Sequence, residues 1–167
     1  MKKLIAVFAL LTVLGLNASA QSPFKLSLFD KIAVPQTDEA NVVIGLIDNN
    51  TPTVKGVDLN FISARADELY GFQSSYIYNR ATKLRGAHGA IYTTAEDAIG
   101  AQLGFVNNAT DMSGVQFGFV NIAQTFTGVQ LAFVNYANTL DRGLQLGLLN
   151  ICPNGWLPAM IIVNGKF

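Results

Sequence analysis

The sequence holds one cysteine and one histidine in 167 residues. That excludes a disulfide framework, a zinc finger and most metal sites built from histidine and cysteine. Charge is also scarce. Only 13% of residues are charged, and eleven basic residues balance eleven acidic ones. A neutral chain with a pI near 6.5 lacks the basic face that nucleic-acid binding requires. Half of the residues are apolar, which excludes intrinsic disorder. Beyond residue 16 no apolar run approaches the ~18 residues of a helical membrane span.

What is present begins with an address. Met1-Lys2-Lys3 is a positive start, Leu4 to Leu16 is a nearly unbroken apolar run, and Ala18-Ser19-Ala20 is a small-x-small site. This order predicts a secretory signal peptide over 1–20, cleaved after Ala20. The apolar run is too short to anchor the chain across a ~30 Å hydrocarbon core. No cysteine follows the cleavage site, so lipid modification there is not expected, and Cys152 reads as a quiet buried thiol.

The second half of the chain is a repeat. Gly100-Ala-Gln-Leu-Gly-Phe-Val-Asn107 is followed by Gly114-Val-Gln-Phe-Gly-Phe-Val-Asn121, Gly128-Val-Gln-Leu-Ala-Phe-Val-Asn135 and Gly143-Leu-Gln-Leu-Gly-Leu-Leu-Asn150. Weaker copies start at Gly86, Gly71, Gly56 and Asn41, so the steps are 14 or 15 residues throughout. The connectors repeat as well: Ala66-x-x-Leu69, Ala81-x-x-Leu84, Ala95-x-x-Ala98, Ala109-x-x-Met112, Ala123-x-x-Phe126 and Ala137-x-x-Leu140. A connector with apolar groups at fixed places is a packed corner rather than a free loop.

Alternation with period two, valines and aromatics predict strands, and fourteen residues are too few for a helix pair. Two all-β architectures fit. In a β-solenoid of about eight 14–15-residue coils with capping ends, equivalent residues stack in a parallel ladder. In a small antiparallel β-barrel of 8–10 strands, each unit is one strand and one turn. The connectors favour the solenoid, because a coil gives every connector the same surroundings, whereas a barrel has unlike ends. The alternation of Ile161, Val163 and Phe167 suits a barrel strand. The solenoid reading divides the chain into a signal peptide (1–20), an N-terminal cap (21–40), a repeat domain (41–152) and a C-terminal cap (153–167).

Within a coil, Val115, Phe117, Phe119, Ala123 and Phe126 are expected to point inward. Asn107, Asn121, Asn135 and Asn150 are expected to form a structural asparagine ladder at the strand exit. Gln102, Gln116, Gln130 and Gln145 are expected to form a second ladder on the outer face, a candidate binding surface, with Asp58, Gln73 and His88 at the same position in earlier coils. A further column (Ile47, Ile62, Ile77, Val106, Val120, Val134 and Leu149) is either buried by a local bend or an exposed apolar stripe able to dock a membrane, a partner or another copy.

The chemistry legible in the sequence is sparse. His88 sits at a glutamine position, and no Ser–His–acid arrangement can be motivated. Asp67-Glu68 and Glu96-Asp97 lie in connectors, where charges are usually solvated. Asp111 and Asp141 do not recur in every coil as a calcium solenoid demands. The glycines are not followed by the Gly-Lys-Ser/Thr of a phosphate loop. No catalytic, cofactor-binding or metal-binding residues are assigned, and an exported hydrolase is left without candidates.

The Gly-x-Gln-x-Gly-x-x-Asn units, the export signal and the ending Pro153-Asn-Gly-Trp-Leu-Pro158 with Val163-Asn-Gly-Lys-Phe167 resemble the exported bacterial surface-repeat proteins. The likeness is specific over 100–167, fair over 41–99 and thin over 21–40. Ser74-Ser75 and Gly89-Ala90 depart from it. The resemblance implies a cell-envelope location, at the outer membrane and cell surface or in the periplasm, and a non-enzymatic role with no catalytic residues to carry over. The expected partner is an envelope or extracellular one, and membrane association and self-association both stay open. A small integral outer-membrane barrel is the competing reading.

Overall fold

The computed structural model describes residues 21–29 and 32–167; the signal peptide expected at 1–20 lies outside them. The described chain is a β-solenoid of about eight turns, not a barrel. Its strands are β1 (Gln21–Phe29), β2 (Ile32–Val34), β3 (Glu39–Asn50), β4 (Thr53–Asn60), β5 (Ser63–Ser74), β6 (Tyr78–Phe117), β7 (Val120–Leu131), β8 (Val134–Ile151) and β9 (Ala159–Lys166). From β1 with β3 through to β7 with β8, every pairing is parallel. The sequence repeat and the register coincide. Gly114 pairs with Gly128 and then Gly128 with Gly143, Gln116 with Gln130 and then Gln130 with Gln145, and Asn107 with Asn121 and then Asn121 with Asn135. A step of 14 or 15 residues returns the chain to the same place one rung on.

Only the two ends run antiparallel. β2 folds back on β1, and β9 folds back on β8. The region read as an N-terminal cap therefore contributes a further parallel rung, β1, before the chain reverses. At the other end Asn154 takes the place of a missing coil. Its Nδ2 donates to the Leu140 carbonyl at 3.1 Å, and its Oδ1 accepts from the Leu140 amide at 2.8 Å. The ends of a solenoid otherwise leave unpaired strand groups.

The glycine that opens each unit has a positive φ, 137° at Gly114 and 138° at Gly100. These glycines stack. A Cβ built on Gly114 would lie 2.0 Å from the Gly100 carbonyl oxygen, so both the backbone angle and the close approach of adjacent coils demand the absence of a side chain.

The interior departs from the expected one. Ala123 and Phe126 are inside, as the connector pattern requires, within two apolar columns. One column runs Ala66, Ala81, Ala95, Ala109, Ala123, Ala137 and Cys152. The other runs Val54, Leu69, Leu84, Ala98, Met112, Phe126 and Leu140. Val115, Phe117 and Phe119, however, point outward, and Phe117 is 57% exposed. Period-two alternation identifies two faces without saying which is inside. Here the connector supplies the apolar half of the core, and the strand turns its glutamine and asparagine positions toward it.

Replacing Gly114 by Ala is expected to lower stability by ~3 kcal/mol or more, from a strained φ and a clash with rigid backbone. Thermal unfolding followed by circular dichroism measures it, and Ser113→Ala in the same connector is expected to be near neutral.

Candidate functional site

Gln102, Gln116, Gln130 and Gln145 are fully buried, so the expected outer ladder face is instead an interior column. The reason is hydrogen bonding. Gln116 Nε2 donates to Gln102 Oε1 at 2.7 Å, Gln130 to Gln116 at 2.6 Å and Gln145 to Gln130 at 2.7 Å. The second amide proton goes to the chain's own coil, with Gln116 Nε2 donating to the Ile122 carbonyl at 3.3 Å. A buried amide satisfied on every side costs little, and each such bond contributes about 1 kcal/mol net.

Asn107, Asn121, Asn135 and Asn150 form a second buried column. Asn107 Nδ2 donates to Asn121 Oδ1 at 2.8 Å, Asn121 to Asn135 at 3.0 Å and Asn135 to Asn150 at 2.9 Å. The amides of Asn107, Asn121 and Asn135 also hold a backbone bend of the next coil: Asn107 Nδ2 donates to the Phe117 carbonyl at 2.9 Å. Bulk is excluded here as well, since a Cβ on Gly118 would lie 2.7 Å from Asn107 Nδ2. The two columns have opposite polarity. Glutamine donors face the N-terminal end of the stack, and asparagine donors face the C-terminal end.

The glutamine column continues through His88, Gln73 and Asp58, is interrupted by the apolar Val43, and reaches Lys25 one rung further on, all buried. Gln73 Nε2 donates to Asp58 Oδ2 at 2.9 Å, and Lys25 Nζ donates to Thr51 Oγ1 at 2.9 Å, which itself donates to Asn49 Oδ1. Burial pushes the Asp58 carboxyl above its usual range, against the hydrogen bonds from Gln73, Asn60 and Asn49 that favour its charged form.

His88 is the break in the column. Gln102 Nε2 lies 3.0 Å from His88 Nε2, which must accept, so the network assigns the ring proton to Nδ1. His88 Nδ1 and Gln73 Oε1 are then a donor and an acceptor on neighbouring rungs, each without a partner. Desolvation lowers the His88 pKa to about 3, so the ring is neutral. It is sealed inside the coil, as Cys152 is; the Cys152 thiol donates to Asn154 Oδ1 at 3.0 Å.

With the polar columns inside, the exterior carries the chain's remaining pattern. One side of the coil presents Val42, Ile44, Val57, Leu59, Phe72, Leu103, Val115 and Phe117, all exposed. The adjoining corner presents Leu46, Phe61, Tyr76, Ile91, Phe105, Phe119, Phe133 and Leu148. Along it the Phe105, Phe119 and Phe133 rings stack with centroids 4.8 and 4.7 Å apart. Of the further column, Ile47, Ile77 and Leu149 are exposed and Ile62, Val106, Val120 and Val134 half-buried, so that stripe belongs to the outside. Of the departures from the repeat at Ser74-Ser75 and Gly89-Ala90, Ser74 and Gly89 are register partners on the first side, whereas Ser75 is buried and donates to Asn79 Oδ1 at 2.6 Å.

Charges gather on the connector side. Lys55 pairs with Glu39 at 2.8 Å, Arg80 with Glu96 at 3.1 Å, Lys83 with Glu68 at 3.4 Å and Arg85 with Asp97 at 2.5 Å. The Arg85 guanidinium holds the Asp97 carboxyl below its ordinary value, as the Lys55 ammonium does for Glu39. These pairs are solvent-exposed, so their contribution to stability is small. The sequence pattern contained the apolar exterior but assigned it to the core. The signal that resolves it is the connector: Ala-x-x-Leu already fills an apolar interior.

Searches against family models, curated proteins and solved structures found no match for this chain.

Replacing His88 by Gln is expected to continue the column, accepting from Gln102 and donating to Gln73, and to raise stability by about 1 kcal/mol. The same change is expected to reduce acid sensitivity. His88 is neutral when folded down to about pH 3 and titrates near 6.5 when unfolded. Falling pH therefore protonates the unfolded chain first, and the His88 contribution is lost by about 1.4 kcal/mol per unit across that window. Asp58, with a raised folded pKa, acts in the opposite sense, so denaturant titrations of wild type and His88→Gln from pH 7 to 4 are compared as a difference. Replacing Gln116 by Leu strands Gln102 Oε1 and Gln130 Nε2 and is expected to cost roughly 3 kcal/mol.

Proposed function

We propose that this is a non-enzymatic, exported envelope repeat protein that works through its surface, in a binding or structural role. The observation that carries the reading is the division of the coil. The glutamines, the asparagines and His88 are committed to interior hydrogen bonds, and the repeat offers the outside a continuous row of apolar side chains. A chain using these polar groups as reagents would have to expose them. A chain using a surface has to hold that surface in fixed register, which parallel stacking does. The tripartite 1–20 segment supports export, and the likeness of the repeats to exported surface-repeat proteins supports the envelope.

This revises the surface involved. The glutamine column is unavailable to a partner without unfolding the coil, so substitutions at Gln116 and Gln130 act on stability. The apolar corner at Phe105, Phe119 and Phe133 takes its place as the working surface.

Expression of the full chain in a bacterial host, followed by fractionation and N-terminal sequencing, tests export. The expected product begins at Gln21 and is found in the envelope. A cytosolic product that still begins at Met1 overturns the reading.

A further inference from the structure

We infer that the apolar side and corner of the solenoid form a lipid-facing surface, on which the rod lies flat in the interface of a bilayer without crossing it. The inference rests on the proposed surface-acting role and names the occupant of that surface.

The size of the surface is the first argument. Eight coils at ~4.8 Å and a six-residue span of each coil at ~3.3 Å per residue give a face of roughly 38 by 20 Å, about 760 Å². The largest apolar patch on an ordinary monomer is ~300–600 Å². That area also suits one half of a protein dimer, at ~800 Å² per partner, so area alone does not choose the occupant.

Polarity and relief choose it. Along the side and corner the outward residues include no Asp, Glu, Lys or Arg from Val42 to Leu148. Their sizes, by contrast, follow no order. Phe72 neighbours Ser74, Ala87 and Gly89 follow on the next coil, then Ala101 and Leu103, then Val115 and Phe117. A shallow recess lined by Ala132, Phe133, Leu146 and Ile162 interrupts the far end. A rigid partner must match relief, since interfaces between folded surfaces pack like protein interiors. Fluid acyl chains need only the absence of charge.

The margins carry the groups that favour a membrane–water boundary. Tyr78 and Tyr92 stack at 5.7 Å on one flank of the corner, with Tyr136 further along and Arg65 and Arg80 beside them. On the other flank Tyr70 lies among Lys55, Lys83 and Arg85, with Lys83 Nζ 5.9 Å from its ring centre.

The backbone permits the contact. Unpaired amides are costly in hydrocarbon. At the corner, where the strand bends, the Phe61 amide donates to Gly45, Tyr76 to Phe61, Ile91 to Tyr76, Phe119 to Phe105 and Val134 to Phe119, at 2.9–3.1 Å. Among the described residues no helix is long and apolar enough to cross a membrane, and the coil interior is filled by the apolar and amide columns. An interfacial posture, burying one face by ~5–10 Å, fits that geometry.

The test uses protein recovered from expressing cells and vesicles of phosphatidylcholine alone, so that its outcome does not depend on export. The protein is expected to float with the vesicles in a density gradient, and the triple variant Phe105→Ser, Phe119→Ser, Phe133→Ser to lose at least tenfold in bound fraction with an unchanged circular dichroism spectrum. Gln124→Glu with Thr125→Glu, on the connector side, is expected to float as wild type does. Should the triple variant unfold, single tryptophans in a Trp156→Phe background replace it. Phe119→Trp is expected to be quenched by lipids brominated on the acyl chains, and Thr125→Trp is not. Failure of wild type to float, equal flotation of the folded triple variant, or equal quenching at 119 and 125 overturns the inference. So does a lipid-free dimer that the triple variant dissolves and vesicles do not compete away, which would assign the face to a second copy. A cytosolic, unprocessed protein that still floats would sink the envelope reading and leave this one standing.

Discussion

A buried primary amide has two donors and an acceptor to satisfy, and in this chain that requirement fixes the spacing of the coils. Gln116 meets it by donating once to Gln102 and once to the Ile122 carbonyl, while accepting from Gln130. The solution exists only if the next glutamine arrives one rung away, in the same orientation, after one circuit. The asparagine column sets the same condition on the other side of the bend. A register slip would break both columns at once, so the 14- or 15-residue step is over-determined. The opposed polarity of the columns adds to this. Aligned side-chain dipoles running the length of the stack in one direction would accumulate, whereas antiparallel columns largely offset each other.

The same requirement explains where the structure is irregular. Three of the four unpartnered buried atoms among the described residues fall at discontinuities of the glutamine column: Gln145 Oε1 at its last member, and Gln73 Oε1 against His88 Nδ1 where an imidazole replaces an amide; the fourth, Asn60 Oδ1, lies beside the column in an early coil. An imidazole has one donor and one acceptor in the neutral state, one group fewer than the amide it replaces. At the C-terminal end Asn154 supplies backbone-like groups to Leu140, and Asn164 Nδ2 donates to the Leu157 carbonyl at 2.9 Å, closing the segment that covers the last coil. At the N-terminal end Lys25 reaches the carbonyls of Thr37 and Asn50 at 3.3 and 3.1 Å. Each end replaces a coil with side-chain groups of matching chemistry.

The period and the parallel sense were legible in the sequence, because both follow from recurrence. Identical connectors argue for identical surroundings, and only a coil gives every unit the same ones. The direction of the strand faces was not legible from the strand alone. Val115-Gln116-Phe117 reads equally well with either set inside, and the ordinary preference for burying phenylalanine selects the wrong one. Deciding it takes the connector: Ala123 and Phe126, with their counterparts, already provide two apolar columns, and a coil of fourteen residues has room for only two more. Those go to Gln116 and Asn121, whose amides pair along the stack, whereas Phe117 and Phe119 gain from stacking on either surface. His88 could be placed in its column from the sequence. Its neutral state and its unpartnered nitrogen could not, because both depend on burial.

The inversion has an energetic consequence that favours surface function. The solenoid is held by backbone ladders, amide columns and the Ala/Leu columns, none of which uses the outward phenylalanines except through their stacking. Apolar area left in water represents ~25 cal/mol per Å², so moving even a third of a ~760 Å² face out of water is worth about 6 kcal/mol. In an ordinary core that energy is consumed in folding and is no longer available for association. Here folding leaves it unspent. The regular stack meanwhile fixes the exposed groups in place, so docking incurs little cost in ordering the chain. Polar columns inside are what allow this, since they stabilise the coil without drawing on the apolar side chains that the outside displays.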